Sequence, residues 1–126
     1  YRYGPATKTN ARRSVAGVSH DSESRRAAKR SLKYPPVRLT GLQARSVAQG
    51  IAEYMRTSEI GVWACAILPD HLHLVTSRSR HDIEQVVIQL KGAATRRLEA
   101  DHLHPMAAWR DPNGRLPKVF AQGSWN

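Results

Sequence analysis

The stretch from residue 62 to residue 76 constrains the fold more than any other part of the sequence. Residues 62–68 are almost wholly apolar, which predicts a buried central strand between turns. Pro69 and Asp70 supply turn chemistry, and residues 71–76 then alternate between polar and apolar side chains as a strand does. We expect the two strands to pair as an antiparallel hairpin.

Apolar spacing predicts a helix on each side of this hairpin. Thr40 and Gln43 fit a capping box, and apolar residues then recur every three or four positions, which predicts a helix over 41–58. Ser79 and Asp82 fit a second capping box before a helix over 81–100. Both helices are long enough to cover a small sheet.

The remaining segments complete an α+β pattern. A short basic helix is predicted over 20–33, a strand over 37–39, a loop over 101–117 and the start of a strand over 118–126. The order of the folded part is then β, α, β, β, α and a partial β. Helices on one face of a small antiparallel sheet form an α+β sandwich.

Positive charge concentrates at the start of the chain. The 126 residues carry a net charge of +10, and residues 1–33 supply +7 of it, from two acidic residues and nine basic ones: Arg2, Lys8, Arg12, Arg13, Arg25, Arg26, Lys29, Arg30 and Lys33. Such a charge indicates a polyanionic partner, either nucleic acid or an anionic membrane surface. We expect a basic N-terminal arm over 1–33, which lies along phosphates or is a solvated tail, and a folded domain over 34–126.

The lone cysteine and the apolar pattern predict a cytoplasmic protein. Cys65 cannot form a disulfide framework or a thiolate metal site by itself, and its apolar surroundings predict a buried side chain in a reducing compartment. No apolar stretch approaches the roughly 18 residues that a membrane span needs.

The chemical signal in the hairpin is its pair of histidines. Side chains alternate along a strand, so His71 and His73 should share one face while the leucines between and after them face the core. Two neutral imidazoles at this spacing can bind one metal ion, provided that a third ligand comes from elsewhere. The alternative is two ordinary polar positions on a solvent-facing strand. A second pair, His102 and His104, precedes a proline in a loop and is a weaker candidate.

Residues 63–75 resemble the histidine-hydrophobe-histidine (HUH) hairpin of the REP-associated tyrosine transposases. These enzymes are a branch of the single-strand transposases of the smallest insertion sequences. The resemblance spans residues 34–126. It includes four further motifs: Tyr34-Pro35-Pro36-Val37, Thr40-Gly41-Leu42-Gln43, Gln89-Leu90-Lys91-Gly92 with Ala94-Thr95, and Gly123-Ser124-Trp125.

The resemblance implies a ferredoxin-like sandwich, monomeric or homodimeric, in which His71 and His73 hold Mg²⁺ or Mn²⁺. It also implies a tyrosine that attacks the scissile phosphate and forms a 5′-phosphotyrosine link. In such transposases that tyrosine lies on a helix after the last strand, with an Asn or Gln ligand one turn later. We therefore expect both after Asn126, and we expect Tyr54 to be partly buried in the core instead.

The predicted DNA contacts lie on the second helix and the arm. Gln85, Gln89 and Arg96 share the face opposite the apolar stripe, Lys91 flanks that stripe, and cations of the arm such as Arg2, Lys8, Arg12 and Arg13 add charge. A plain solvated helix face is the alternative.

The predicted partner is single-stranded or hairpin DNA, and the protein is either a nicking transposase or a non-catalytic binding module. A histidine phosphohydrolase would need more histidines or carboxylates than the adjacent Asp70.

Overall fold

The computed structural model describes Arg26, Arg30 and residues 33–121. The chain divides into two compact units, residues 1–36 and residues 37–126. In the first unit Arg26 and Arg30 are helical and exposed, and the rest of the helix predicted over 20–33 lies outside the described residues, apart from Lys33, which is not helical. The elements below all belong to the second unit.

Helix α1 spans Gly41–Thr57 and starts at the capping box that the sequence predicts. The Thr40 hydroxyl accepts a hydrogen bond from the Gln43 amide at 3.3 Å, and the Gln43 side chain accepts one from the Thr40 amide at 2.9 Å. These bonds satisfy backbone donors that have no partner inside the helix. The Gln43 side chain also donates to the carbonyl of Leu103 at 3.0 Å, which ties the start of α1 to the loop after the second helix.

The predicted hairpin is present. Strand β1 spans Val62–Ile67 and strand β2 spans Leu72–Thr76, and they pair antiparallel with Ala66 opposite His73. The register shifts between Val62 and Ala64, where Trp63 bulges out and is 75% exposed. A bulge of one residue bends a strand and increases its twist.

Helix α2 spans Ile83–Ala100, but its N-cap differs from the predicted capping box. The cap is Asp82, whose carboxylate accepts the Glu84 amide at 3.0 Å. The Ser79 hydroxyl instead accepts the His81 amide at 3.0 Å, within the preceding loop. Asp82 is the better placed acceptor because a short carboxylate reaches amides of the first turn and its charge favours the positive helix end.

The core lies where α1 and α2 pack against each other and against one face of the hairpin. The buried apolar side chains come from both helices and from the turn after α1: Val47, Ile51, Met55, Ile60, Val86, Leu90, Ala94 and Leu98. Leu72 and Leu74 of β2 pack against this cluster. The fold is therefore of the predicted α+β class, with both helices on the leucine side of the hairpin.

Three strand predictions need correction. Residues 37–39 form no strand; the Leu39 amide makes a single backbone bond, to the carbonyl of Pro69 at 2.7 Å, which is not a ladder. Strand β1 is mostly exposed rather than buried, and Cys65 is exposed with it, because among the described residues β1 has a neighbour only on its β2 side. Residues 118–121 form no strand, and residues 122–126 lie outside the described part.

After α2 a short 3₁₀ helix, Ala107–Trp109, interrupts the predicted loop. Among residues 33–121, together with Arg26 and Arg30, no helix is both long and apolar enough to cross a membrane.

Candidate metal centre

The structure brings His71 and His73 together on the hairpin face that points away from the helices. His71 directly precedes β2 and His73 lies within it, while Leu72 and Leu74 take the alternate positions and face the core. Both histidines are exposed, and their ring centres lie 5.0 Å apart with the ring planes at 84°. The pair is therefore open to a ligand from solvent.

Asp70 is part of this cluster, and the sequence assigned it no role beyond the turn. Its carboxylate Oδ1 lies 2.7 Å from Nδ1 of His71. The hydrogen bond from His71 lowers the pKa of Asp70, and the nearby charge of Arg38 lowers it further. An ionised carboxylate can only accept a hydrogen bond, so this contact is compatible with a His71 tautomer that carries its proton on Nδ1.

The separation of the ring centres is compatible with two imidazole ligands of one divalent ion. An ion about 2.1 Å from one nitrogen of each ring would hold the ring centres roughly 5 Å apart, since each centre lies about 1 Å behind its nitrogen. The observed separation is 5.0 Å. Within the described residues no group of three His, Cys, Asp or Glu side chains forms a complete metal site. Two histidines alone are therefore not a complete coordination shell.

The second histidine pair does not converge. His102 is exposed in a left-handed backbone conformation with φ of 57°, whereas His104 is 6% exposed. Nδ1 of His104 accepts the Met106 amide at 3.2 Å, and its Nε2 is buried without a partner among the described residues. Burial lowers the pKa of His104, and the charge of Arg110 acts in the same direction against that of Glu99. Sequence reasoning missed this buried imidazole, since nothing in a Pro-containing loop predicts it.

The predicted DNA contacts on α2 lie on a different element from the histidines, which belong to the hairpin. Gln85, Gln89 and Arg96 are exposed on α2, which packs on the leucine face of the hairpin. Gln85 and Gln89 line a shallow groove between the helices, of about 530 Å³, together with Tyr54 and His81. The structure therefore separates two candidate surfaces, the histidine face and the α2 face.

The remaining predicted DNA contacts are Lys91 and four residues of the arm. Lys91 is half-buried, its Nζ donates to the carbonyl of Ala121 at 2.9 Å, and desolvation lowers its pKa. The other predicted contacts, Arg2, Lys8, Arg12 and Arg13, lie outside the described residues. Tyr54 is partly buried against the core, as predicted.

Comparison with known proteins assigns the family. The sequence matches the family described as Transposase IS200 like over residues 31–112, which include α1, the hairpin, the histidine pair and α2. The chain belongs to this family, and its function is therefore of the DNA transposition and recombination type. The family generally depends on a divalent metal. No curated protein and no solved structure matched the chain.

Proposed function

We propose that this domain binds single-stranded or hairpin DNA and takes part in cleaving and rejoining that DNA through a phosphotyrosine link. In this proposal His71 and His73 are ligands of Mg²⁺ or Mn²⁺. The observation that carries the proposal is the exposed histidine pair, with ring centres 5.0 Å apart on the open face of the hairpin. Membership of the IS200-like transposase family supports it.

The histidines act by holding the ion next to the scissile phosphate. A bound divalent cation would neutralise charge that develops on the phosphoryl oxygens during attack. His71 and His73 bind in their neutral form, with the hairpin backbone keeping both rings on one face. The remaining ligand and the nucleophile are expected to be an Asn or Gln and a Tyr on a helix after the last strand. We expect Tyr54 not to be that nucleophile, because it packs against the core.

DNA would be held by charge and by the exposed α2 face. The net charge of +10 favours a polyanion, and the nine cations of residues 1–33 supply most of it. Gln85 and Gln89 offer amide groups that can bond base edges, and Arg96 offers a guanidinium for phosphate. Since the proposed substrate is DNA and the lone cysteine provides no disulfide, we also propose that the protein works in the cytoplasm. We further propose that it acts as a monomer or homodimer.

Metal binding is tested by calorimetry with Mn²⁺ on the native-length protein. His71→Ala and His73→Ala should each reduce Mn²⁺ affinity strongly, because each removes one of two clustered ligands. His102→Ala is the matched control, since it removes an exposed histidine away from the pair. Wild-type affinity in both hairpin variants would overturn the assignment of the metal site.

Cleavage is tested with a labelled DNA hairpin that carries single-stranded flanks. The native-length protein with Mn²⁺ should form a covalent protein–DNA adduct on a denaturing gel, and the two histidine variants should not. Tyr54→Phe should still form the adduct. Hairpin binding without any adduct in the wild type would favour the alternative, a non-catalytic DNA-binding module.

A further inference from the structure

We propose that Asp70 is a positioning residue for the metal centre: its carboxylate holds Nδ1–H of His71, so that Nε2 is left unprotonated and directed outward as the ligand atom. The inference rests on the proposed function, because it assigns a task to Asp70 at the same site. Its basis is the 2.7 Å contact between Asp70 Oδ1 and His71 Nδ1.

The backbone around this contact is fixed on both sides. The Leu68 amide donates to the carbonyl of His71 at 2.8 Å, which closes the hairpin turn that carries Asp70. The Leu39 amide donates to the carbonyl of Pro69 at 2.7 Å and braces the same turn from outside. The carboxylate is thus presented to the imidazole by a turn that two backbone bonds restrain.

In a neutral histidine, a hydrogen bond at one ring nitrogen determines whether the other nitrogen is free to bind a metal ion. A neutral imidazole carries one proton, and the bond made by that N–H selects the tautomer and the orientation of the ring. A carboxylate on that N–H also raises the basicity of the ligating nitrogen, and losing the hydrogen-bond partner altogether typically weakens metal binding about 10- to 100-fold. Asp70 is placed to select the tautomer of His71 and to raise the basicity of its Nε2.

The two histidines differ in this respect. His73 makes no side-chain hydrogen bond to any described residue, so nothing comparable selects its tautomer. The effect of Asp70 should therefore be confined to His71, and His73 serves as an internal control in the same molecule.

The experiment has two readouts on three variants of the native-length protein. Nitrogen NMR of the metal-free, isotopically labelled protein at about pH 8, where an unperturbed imidazole is neutral, reports the tautomer of each histidine. Calorimetry reports Mn²⁺ affinity. Asp70→Leu replaces the carboxylate with an apolar side chain that is likewise branched at Cγ, Asp70→Asn keeps an acceptor oxygen, and Glu84→Gln removes an exposed carboxylate on α2.

We expect His71 in the wild type to carry its proton on Nδ1 and to lose that preference in Asp70→Leu, with His73 unchanged. Mn²⁺ should bind about 10- to 100-fold more weakly to Asp70→Leu, and within a few-fold of wild type to Asp70→Asn and Glu84→Gln. The rescue by Asn separates positioning from a general loss of structure, because both Asp70 variants change the same turn position.

Two results would overturn the inference. The first is a wild-type His71 that carries its proton on Nε2. The second is full Mn²⁺ affinity in Asp70→Leu while His71→Ala loses it, which would leave the metal site standing and remove the role of Asp70. Unchanged Mn²⁺ affinity in His71→Ala would instead refute the metal site itself, whichever tautomer NMR reports.

Discussion

The two helices approach each other closely at Gly50, and replacing this residue tests how the core is assembled. A Cβ atom at position 50 would lie 2.8 Å from the carbonyl oxygen of Ala93, 2.9 Å from Cα of Ala94 and 2.9 Å from Cβ of Arg97. Two of these three atoms belong to the backbone of α2, and none is the far end of a flexible side chain. Gly50→Ala can therefore be accommodated only if the helices move apart.

The magnitude follows from two opposed terms. Overpacking of a close-packed core costs about 1–3 kcal/mol, and contacts this short with backbone favour the upper end, about 3 kcal/mol. Alanine is favoured over glycine inside a helix by about 1 kcal/mol. The net loss in free energy of unfolding is then about 2 kcal/mol, which corresponds to a decrease in Tm of roughly 10 °C for a domain of this size.

The matched control is Gly92→Ala, the same substitution inside α2. A Cβ at position 92 meets only the guanidinium of Arg96, at 3.2 Å, and that group can swing away. This variant should gain about 1 kcal/mol from helix propensity. Urea unfolding followed by far-UV circular dichroism measures both variants. Equal stability of the two would refute the inferred contact of α1 with α2 at Gly50.

Two further predictions concern pH and salt. Burial lowers the pKa of His104 in the folded state, so the unfolded chain takes up the proton first and the free energy of unfolding should fall as pH drops through about 6.5. His104→Asn, which keeps an acceptor for the Met106 amide, should reduce this loss between about pH 7.5 and pH 5 in urea titrations; an identical pH dependence would contradict it. Deleting residues 1–33, with their nine cations, should flatten the plot of log K against log salt for all single strands alike, as filter binding would show. An unchanged slope would mean that the arm releases no counterions.

Local signals in the sequence predicted local structure well. The capping box at Thr40 and Gln43 is present because its bonds depend only on residues three apart. The hairpin is present because turn residues and alternation fix the pairing of adjacent strands. The alternation also predicts that His71 and His73 share one face of the hairpin.

Features that depend on distant neighbours were not predictable in the same way. The apolar run of β1 indicates a strand, but its burial depends on which elements cover it, and among the described residues β1 is largely exposed. Ser79 and Asp82 both suit an N-cap, and only the path of the loop decides for Asp82. The bond between Asp70 and His71 depends on the shape of the turn, which residue types alone do not define. The metal and DNA assignments themselves stay predictions.

The placement of the helices and the histidines on opposite sides of the hairpin has a consequence for how such a domain can change. A DNA strand that touches both the α2 face and the histidine face has to pass around an edge of the hairpin. The two surfaces share no side chain, so under the proposed function substitutions at Gln85 or Gln89 would alter which DNA is held and leave the ligands His71 and His73 in place. On that proposal, target choice and reactivity would be separable traits, open to independent selection or redesign.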